Sequence, residues 1–582
     1  MTIRRTAAAL GAALLGCVSA SGQDGRADRL AGLTPIDDAA LLDPDPADWL
    51  MWRRTLDAWG YSPLDQIRRR NVERLALVWS RGLPEGSNQG TPLVHDGVMF
   101  FPAPNDTTQA FDAATGDFLW EYRRPWPDDL RDYIPAADTN RNLAVYGELI
   151  IDAGNDNYLY ALNARTGALV WETQYLDYRT GSKHSSGPIV AEGRVFSTGG
   201  CEPEGGPDAC VILAHDAATG EELWRTRTIA GPGEPGDETW GDVPFERRVH
   251  AGAWMVPSYD PELGLLFVGT SVTAPAPKYM LGGNDKQHLY HNSTLALDAA
   301  TGAIVWHYQH VVDHWDLDHP FERLLIDVEV APDPDEVPWI NPNVRPGERR
   351  RVVTGVPGKT GLVYTLDRTT GEFLWARPTV PQNIVSDIDG ATGAVTVNPD
   401  VVFEEDGDQV DACPSGQGGK NWPAGTYSPE TGLMYMPMLE TCTALTSITP
   451  ISDDIGLVYG IRFRSRATDP DADVGAIYAV SAETGELAWR FVQRAGTLSL
   501  LATGGRLVFG GDGAGRFRAF DDRNGDILWE VSLGSPVTGY PVTYSVDGRQ
   551  YVAVSTSFWG ASVVTPEIRV ANANTLYVFA LP

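Results

Sequence analysis

Basic charge is what this sequence has least of in proportion: 45 Lys and Arg stand against 77 Asp and Glu in 582 residues, a net of −32. A nucleic-acid-binding chain needs a basic footprint, and none of the required size is present, so nucleic acid is excluded as a partner. Cysteine is scarce as well, at five copies, which rules out a small disulfide-stapled scaffold. No Cys-x-x-Cys-His string occurs, so no covalent c-type haem is attached to this chain. Beyond the first 16 residues no apolar run reaches the roughly 18 residues that a membrane-spanning helix needs. With 43% hydrophobic and 21% charged residues, a disordered or collagen-like chain is excluded too.

The acidity suits a solvated surface in salty surroundings, or a field that steers a basic partner such as a small cytochrome. At the start, Arg4 and Arg5 precede the apolar run Ala7 to Gly16, and Cys17 follows directly. A basic start and a short apolar run predict a secretory signal over residues 1–16. Leu14-Leu15-Gly16-Cys17 resembles the bacterial lipobox, whose Cys receives lipid after cleavage; the alternative is cleavage within Val18 to Gly22. The expectation is a periplasmic protein that meets the membrane only through lipid on Cys17, with a linker over 17–48 and the folded body over 49–582. Setting Cys17 aside leaves Cys201, Cys210, Cys413 and Cys442, an even number that predicts two disulfides. Cys201–Cys210 and Cys413–Cys442 are the pairings that close short loops.

One pattern returns along the chain. It reads AFDAATGDFLW to Trp120, ALNARTGALVW to Trp171, AHDAATGEELW to Trp224 and ALDAATGAIVW to Trp306. TLDRTTGEFLW to Trp375, AVSAETGELAW to Trp489 and AFDDRNGDILW to Trp529 continue it. Each copy alternates apolar residues, offers Asp, Asn or Ser with a Gly four residues later, and alternates again. That is the composition of a hairpin between antiparallel strands, and the Trp falls on the second strand, where its ring can wedge against a neighbouring unit. The shortest spacing between copies, Trp489 to Trp529, is the size of a four-stranded propeller blade. The 114 residues between Trp375 and Trp489 are expected to hold an eighth blade, with TYSPETGLMYMP around Tyr427 as its degenerate hairpin. NVERLALVW, ending at Trp79, is then free to pair with TLYVFALP and close the ring, which removes exposed sheet edges. The fold class is all-β, an eight-bladed β-propeller with Trp-docking repeats, and the longer gaps are loops that carry the site.

These repeats, with several irregular motifs in order, resemble the pyrroloquinoline-quinone (PQQ)-dependent alcohol dehydrogenases, over about Trp52 to Pro582. GYSPLDQIRRRNVERLALVW is similar to that family's entry string, and SPVTGYPVTYSVDGRQYVAV to its closing one. The cofactor is a flat quinone with three carboxylates, so it needs an aromatic floor, cationic clamps, a metal at the reactive carbonyl and a base for the alcohol proton. By resemblance, GAWMVPSYDPELG supplies Trp254 as the floor, TNRNLAVYG supplies Arg141, and GKTGLVYTLDR supplies Lys359. CPSGQGGKNWPAGTYSP supplies Asn421 and Trp422 at the cofactor's edge, and SNQGTPLV places Gln89 where the family usually has Glu. GGCEPEGG implies Glu202 as a calcium (Ca2+) ligand, while Gly199 and Gly200 allow close backbone approach to a cofactor carboxylate and Ser185 in SSGPIV adds a hydroxyl to the cofactor site. DHWDLDHP places Asp316 at the catalytic base. Asp318, two residues on, resembles the extra acid of lanthanide-dependent members, although the membrane glucose dehydrogenase branch carries Trp-Asp-x-Asp as well.

The family pattern breaks in places. Val272 in GTSVTAP replaces a usual Asn ligand, leaving Thr273, Asp316, Asp318 or water to complete a metal shell. Pro135, Ala136 and Ala137 stand where many members have a vicinal Cys pair, and Val312 where a His often opens the active-site string. The resemblance implies a dehydrogenase that oxidises an alcohol or sugar-type hydroxyl and passes electrons to a separate cytochrome c or membrane quinone. The lipobox and missing ligands support an alternative, a non-enzymatic propeller lipoprotein acting as scaffold or binding module.

Overall fold

A computed structural model of the chain describes residues 28–135, 139–201, 205–249, 251–448, 460–469, 471–558 and 564–582. The repeat turns form as their composition dictates. In the copy ending at Trp306, Asp298 Oδ1 accepts the N–H groups of Ala300 and Thr301 at 3.1 and 2.8 Å. Gly302, at φ 76°, donates its N–H to Asp298 O at 2.8 Å. The capped turn and the left-handed glycine let Ser293–Asp298 pair antiparallel with Ile304–Gln309.

That glycine has a second duty. A Cβ on Gly302 would lie 2.5 Å from the ring of Trp224 of the preceding copy, whose Nε1 donates to Ala299 O at 3.0 Å. Trp79, Trp120, Trp306 and Trp489 hand their Nε1 to Ala113, Ala164, Arg368 and Asp522 of the next unit in the same way. Trp171 and Trp375 pack their rings on Gly220 and Gly485. Trp529 donates to Leu75 O at 3.1 Å, bringing the last unit back to the first. Seven sheets, spanning 93–123, 144–174, 189–227, 258–309, 324–378, 426–493 and 497–532, run in chain order. The eighth joins Val542–Val546, Arg549–Thr556 and Thr575–Ala580 to Ala76–Gly82. The Trp contacts link these sheets in one closed cycle, and the fold is a β-propeller. Closure is antiparallel, from Ala76 opposite Ala580 to Gly82 opposite Thr575, as expected.

The hairpin around Tyr427 does not found a separate blade. Thr426–Ser428 pairs with Leu433–Leu439, which pairs with Gly475–Ser481, the first strand of the Trp489 copy, so both copies share one sheet. The eighth sheet is the closing one instead. A turn signature is local, whereas sheet membership depends on a partner strand far along the chain, which a local signature cannot report. The long gap holds a hairpin, Val385–Ile388 with Val395–Val397, and a three-stranded sheet of Gln409–Ala412, Thr441–Ser447 and Ile461–Ala467. Both expected disulfides are present, Cys201–Cys210 with S–S 2.03 Å and Cys413–Cys442 with S–S 1.99 Å.

The expected signal (1–16) and Cys17 lie outside the described residues. The described part of the 17–48 stretch, expected as a linker, is packed on the ring: Leu33, Ile36 and Leu41 are buried and Ile36 bridges Gly147. Its short helix Asp38–Leu42 starts at Asp37, whose Oδ1 accepts Ala40 N–H at 3.0 Å. These spaced apolar residues need a surface to cover them, and the stretch lies against the turns between first and second strands at Asp96, Gly147 and Gly193. No helix among the described residues is long and apolar enough to cross a membrane.

Candidate active site

Sheet geometry gathers the site. The first strands of the sheets, such as Leu93–His95, Ile189–Ala191, Ser258–Asp260 and Thr426–Ser428, are wholly buried, and the fourth strands alternate toward solvent. Gln89, Arg141, Ser185, Trp254, Trp422 and Tyr540 each stand two to four residues before such a first strand. Gly199, Val272 and Lys359 follow the second strand of their sheets. In an antiparallel pair the start of one strand and the end of the next share an edge, so all of these residues collect at one end of the ring.

One half of the site centres on Arg141. Its guanidinium lies over the rings of Trp254 and Trp422, 5.3 and 5.8 Å from their centroids. Nη1 donates to Ser185 O at 2.8 Å, and Nε is buried with no acceptor among the described residues. Burial lowers the Arg141 pKa, opposed by Tyr540, whose hydroxyl donates to Trp422 O at 3.0 Å. Gly199 and Gly200 run beside this group: Gly200 bridges Lys183, and Gly199 O accepts Ala253 N–H at 2.8 Å. Gln89 lies on the segment that bridges Asn140, with Oε1 buried and without a donor among the described residues.

The other half centres on Lys359. Its Nζ donates to Asp316 Oδ1 at 2.6 Å and lies 3.0 Å from Asp318 Oδ2. Asp318 Oδ1 accepts the Val272 N–H at 3.1 Å, so valine meets this acid through its backbone. Burial pushes the Asp316 carboxyl up, with Lys359 pulling it back and Asp318 adding to the rise. For Lys359, burial works against the charge, but Asp316 and Asp318 together raise the ammonium pKa. Phe321 lies edge-on to Trp254 at 5.5 Å and under Lys420 Nζ at 5.0 Å, and its N–H donates to Pro357 O at 3.0 Å, two residues before Lys359.

Asn421 adjoins this contact, but its side chain is engaged locally, with Nδ2 donating to Gln417 O and Oδ1 accepting Trp422 N–H, both at 2.8 Å. Glu202, the expected calcium ligand, lies outside the described residues, as do Ala136 and Ala137. Among the described residues no group of three His, Cys, Asp or Glu side chains is placed to hold a metal ion.

Sequence reasoning missed Asp313, Phe321, Tyr540 and the Lys420–Glu322 pair. Asp313 shapes the Asp316 loop: its carboxylate accepts the N–H groups of Trp315 and Leu317 and the Nδ2 of Asn292, at 2.8, 2.5 and 3.0 Å. Burial pushes its pKa up to about 6. The signal was available in the spacing, an Asp three residues before Asp316 that can cap the following turn. Lys420 and Tyr540 lie inside the family-like strings CPSGQGGKNWPAGTYSP and SPVTGYPVTYSVDGRQYVAV, but nothing in those strings singles them out from their neighbours.

One end of this propeller thus carries two indoles beside a buried guanidinium, together with a carboxylate–ammonium cluster. The model of the PQQ: Glucose/ethanol/alcohol dehydrogenase, beta-propeller domain family matches residues 49–392 and 492–552, and the chain belongs to this family. It is a PQQ-dependent alcohol dehydrogenase by class, an enzyme and not a bare scaffold. The dehydrogenase subunit of alcohol dehydrogenase (quinone) from Komagataeibacter europaeus is 32% identical over 555 residues, 89% of this chain and 72% of the relative. Quinohemoprotein alcohol dehydrogenase ADHIIG from Pseudomonas putida superposes with a TM-score of 0.83 at 29% identity, over 94% of this chain and 83% of that one. A europium-containing methanol dehydrogenase superposes at 0.82 with 25% identity, over 93% and 99%.

Proposed function

We propose that Asp316 is the base of this alcohol dehydrogenase and that Arg141, Trp254, Trp422, Gln89, Ser185, Gly199, Gly200 and Asn421 hold PQQ. The observation that carries this reading is Arg141, whose guanidinium lies over two indole rings with a buried Nε–H that no atom of the described residues accepts. The chain is strongly acidic, yet Arg141, Lys359 and Lys420 are buried cations gathered at one end of the ring. Lys359 is paired with Asp316 and Asp318 and Lys420 with Glu322, which leaves Arg141 as the cation suited to an anionic ligand. Bound there, the quinone supplies the acceptor for the two electrons of alcohol oxidation.

The chain's own residues do the rest. Asp316 accepts the hydroxyl proton of the alcohol; Lys359, hydrogen-bonded to it, fixes its orientation. Asp313 holds the loop that carries it. Trp254, Phe321 and Trp422 wall the site with apolar rings and so keep water from competing. Asp316 and Asp318 offer the hard oxygen ligands of a calcium ion, or of a lanthanide, and Glu202 is proposed to complete that set. Eight sheets in one Trp-linked cycle support reading the ring as eight-bladed. Without a haem motif of its own, the chain is proposed to pass electrons to a separate cytochrome c or a membrane quinone. Its basic-then-apolar start and lipobox-like string support export to the periplasm with lipid on Cys17, testable by the mass of the mature protein.

Two measurements test the site. Asp316→Ala is expected to lower turnover by about 10²–10⁴-fold while the quinone still titrates the protein; wild-type turnover in that variant would overturn the assignment. Dye reduction with calcium or a light lanthanide, across alcohols and sugars, identifies the metal. If Asp318 is a ligand, Asp318→Ala raises the metal concentration needed for half-maximal activity; an unchanged requirement removes it from the set.

A further inference from the structure

We propose that the guanidinium of Arg53, buried in the middle of the ring, binds one small inorganic anion of the chloride class. Residues 49–54 enter the ring as a plug: Trp49, Leu50, Met51, Trp52, Arg53 and Arg54 are all buried, and Arg53 is 1% exposed. Arg53 Nη2 donates to Gly425 O at 2.7 Å and Leu500 O at 2.6 Å, on the sheets spanning 426–493 and 497–532. The small cavity beside it is walled by Ile189, Val256 and Pro257, from the sheets opposite. Arg53 therefore spans the centre.

Its remaining donors, Nε and Nη1, are buried with no acceptor among the described residues. Burial pushes the Arg53 pKa down to about 10, which leaves it cationic at neutral pH. The nearest carboxylate is committed elsewhere: Glu322 accepts Lys420 Nζ at 2.6 Å and Gly425 N–H at 2.7 Å. A further buried guanidinium, Arg323, sits next to Glu322 in sequence and donates to Thr294 Oγ1 and His319 O. Three buried cations thus share one carboxylate, and a desolvated charge with unmet donors is among the costliest features a fold can keep. The chain also makes room for the group. A Cβ on Gly60, at φ 62°, would fall 1.8 Å from Arg53 Nη2. A compact, weakly hydrated anion in the apolar-walled cavity would accept from one of the unmet Arg53 donors and reduce the excess positive charge. This inference stands apart from the quinone reading, since Arg53 belongs to the plug.

The test uses the mature chain, purified in gluconate and moved into chloride at constant ionic strength. The expected result is a saturable rise in Tm of roughly 1–2 °C, absent in Arg53→Met and retained in the exposed control Arg349→Met. Should Arg53→Met fail to fold, wild-type crystals grown in bromide decide: an anomalous peak within hydrogen-bond distance of Nε or Nη1 supports the site. Ordered water there without halide signal overturns it, as does a chloride response that never saturates. Loss of the chloride response on loading with PQQ also overturns it, because a cofactor carboxylate would then be the occupant.

Discussion

Arg141 cannot be exchanged for lysine at this site. A lysine keeps the charge but loses the planar fork that lies over Trp254 and Trp422 and reaches Ser185 O. Arg141→Lys is expected to weaken quinone binding by about 10-fold or more, read by titrating the quenching of tryptophan fluorescence, with the unfolding midpoint little changed. Asp313→Asn acts differently. The amide would set an NH2 against N–H donors that the carboxylate now accepts, loosening the 313–318 turn. Turnover should drop by about 10–100-fold while quinone affinity holds, because only Asp316, the proposed base, is displaced. These two residues mark how far the site was legible in the sequence. Arg141 was found because flanking residues make a motif around it. Asp313 works through the main chain of its neighbours, and that role is visible only once the loop is folded.

A repeat hairpin is the element in which sequence and structure agree best. Asp298, Gly302 and Trp306 lie within nine residues, and local chemistry alone settles the turn. The neighbouring unit adds the tertiary constraint, since Gly302 is also the floor for Trp224. Trp224→Ala should cost about 3–5 kcal/mol in urea unfolding. Gly302→Val, strained by its positive φ and by contact with that ring, should also destabilise the chain. Because both substitutions break one contact, the double variant should lose clearly less than the sum. The hairpin around Tyr427 shows the limit. Its turn was read correctly, but its sheet is fixed by pairing with 475–481 across an inserted stretch, and no local pattern encodes that partner. The insertion itself was expected only as length.

At the scale of the whole molecule, the N-terminal stretch is held to the ring through His95. Its Nδ1 lies 2.7 Å from Asp48 Oδ2, and its Nε2 lies 2.9 Å from Thr34 O and 3.2 Å from Asp96 Oδ2. Burial opposes the charged imidazole, but Asp48 and Asp96 prevail and raise its pKa above the ordinary histidine value. A raised folded-state pKa means that this tie is at full strength below the unfolded value, about 6.5, and fades as pH rises through the folded one. Hydrogen exchange across residues 28–50 should therefore be best protected in mild acid and lose protection as pH rises through the raised His95 value, beyond the intrinsic change in rate. His95→Gln should flatten that dependence; an unaltered profile would assign it to another group. The closing pair, Ala76–Gly82 with Thr575–Ala580, has a consequence for biosynthesis. A ribosome delivers strand 76–82 almost five hundred residues before the strand that completes its sheet. Seven sheets can assemble from neighbours in sequence while the nascent chain emerges, but the seal must wait for residue 580. Until then both flanks of the unfinished circle are bare strand edges, open to any other chain that offers a matching edge. Residues 575–580 decide whether the whole circle survives.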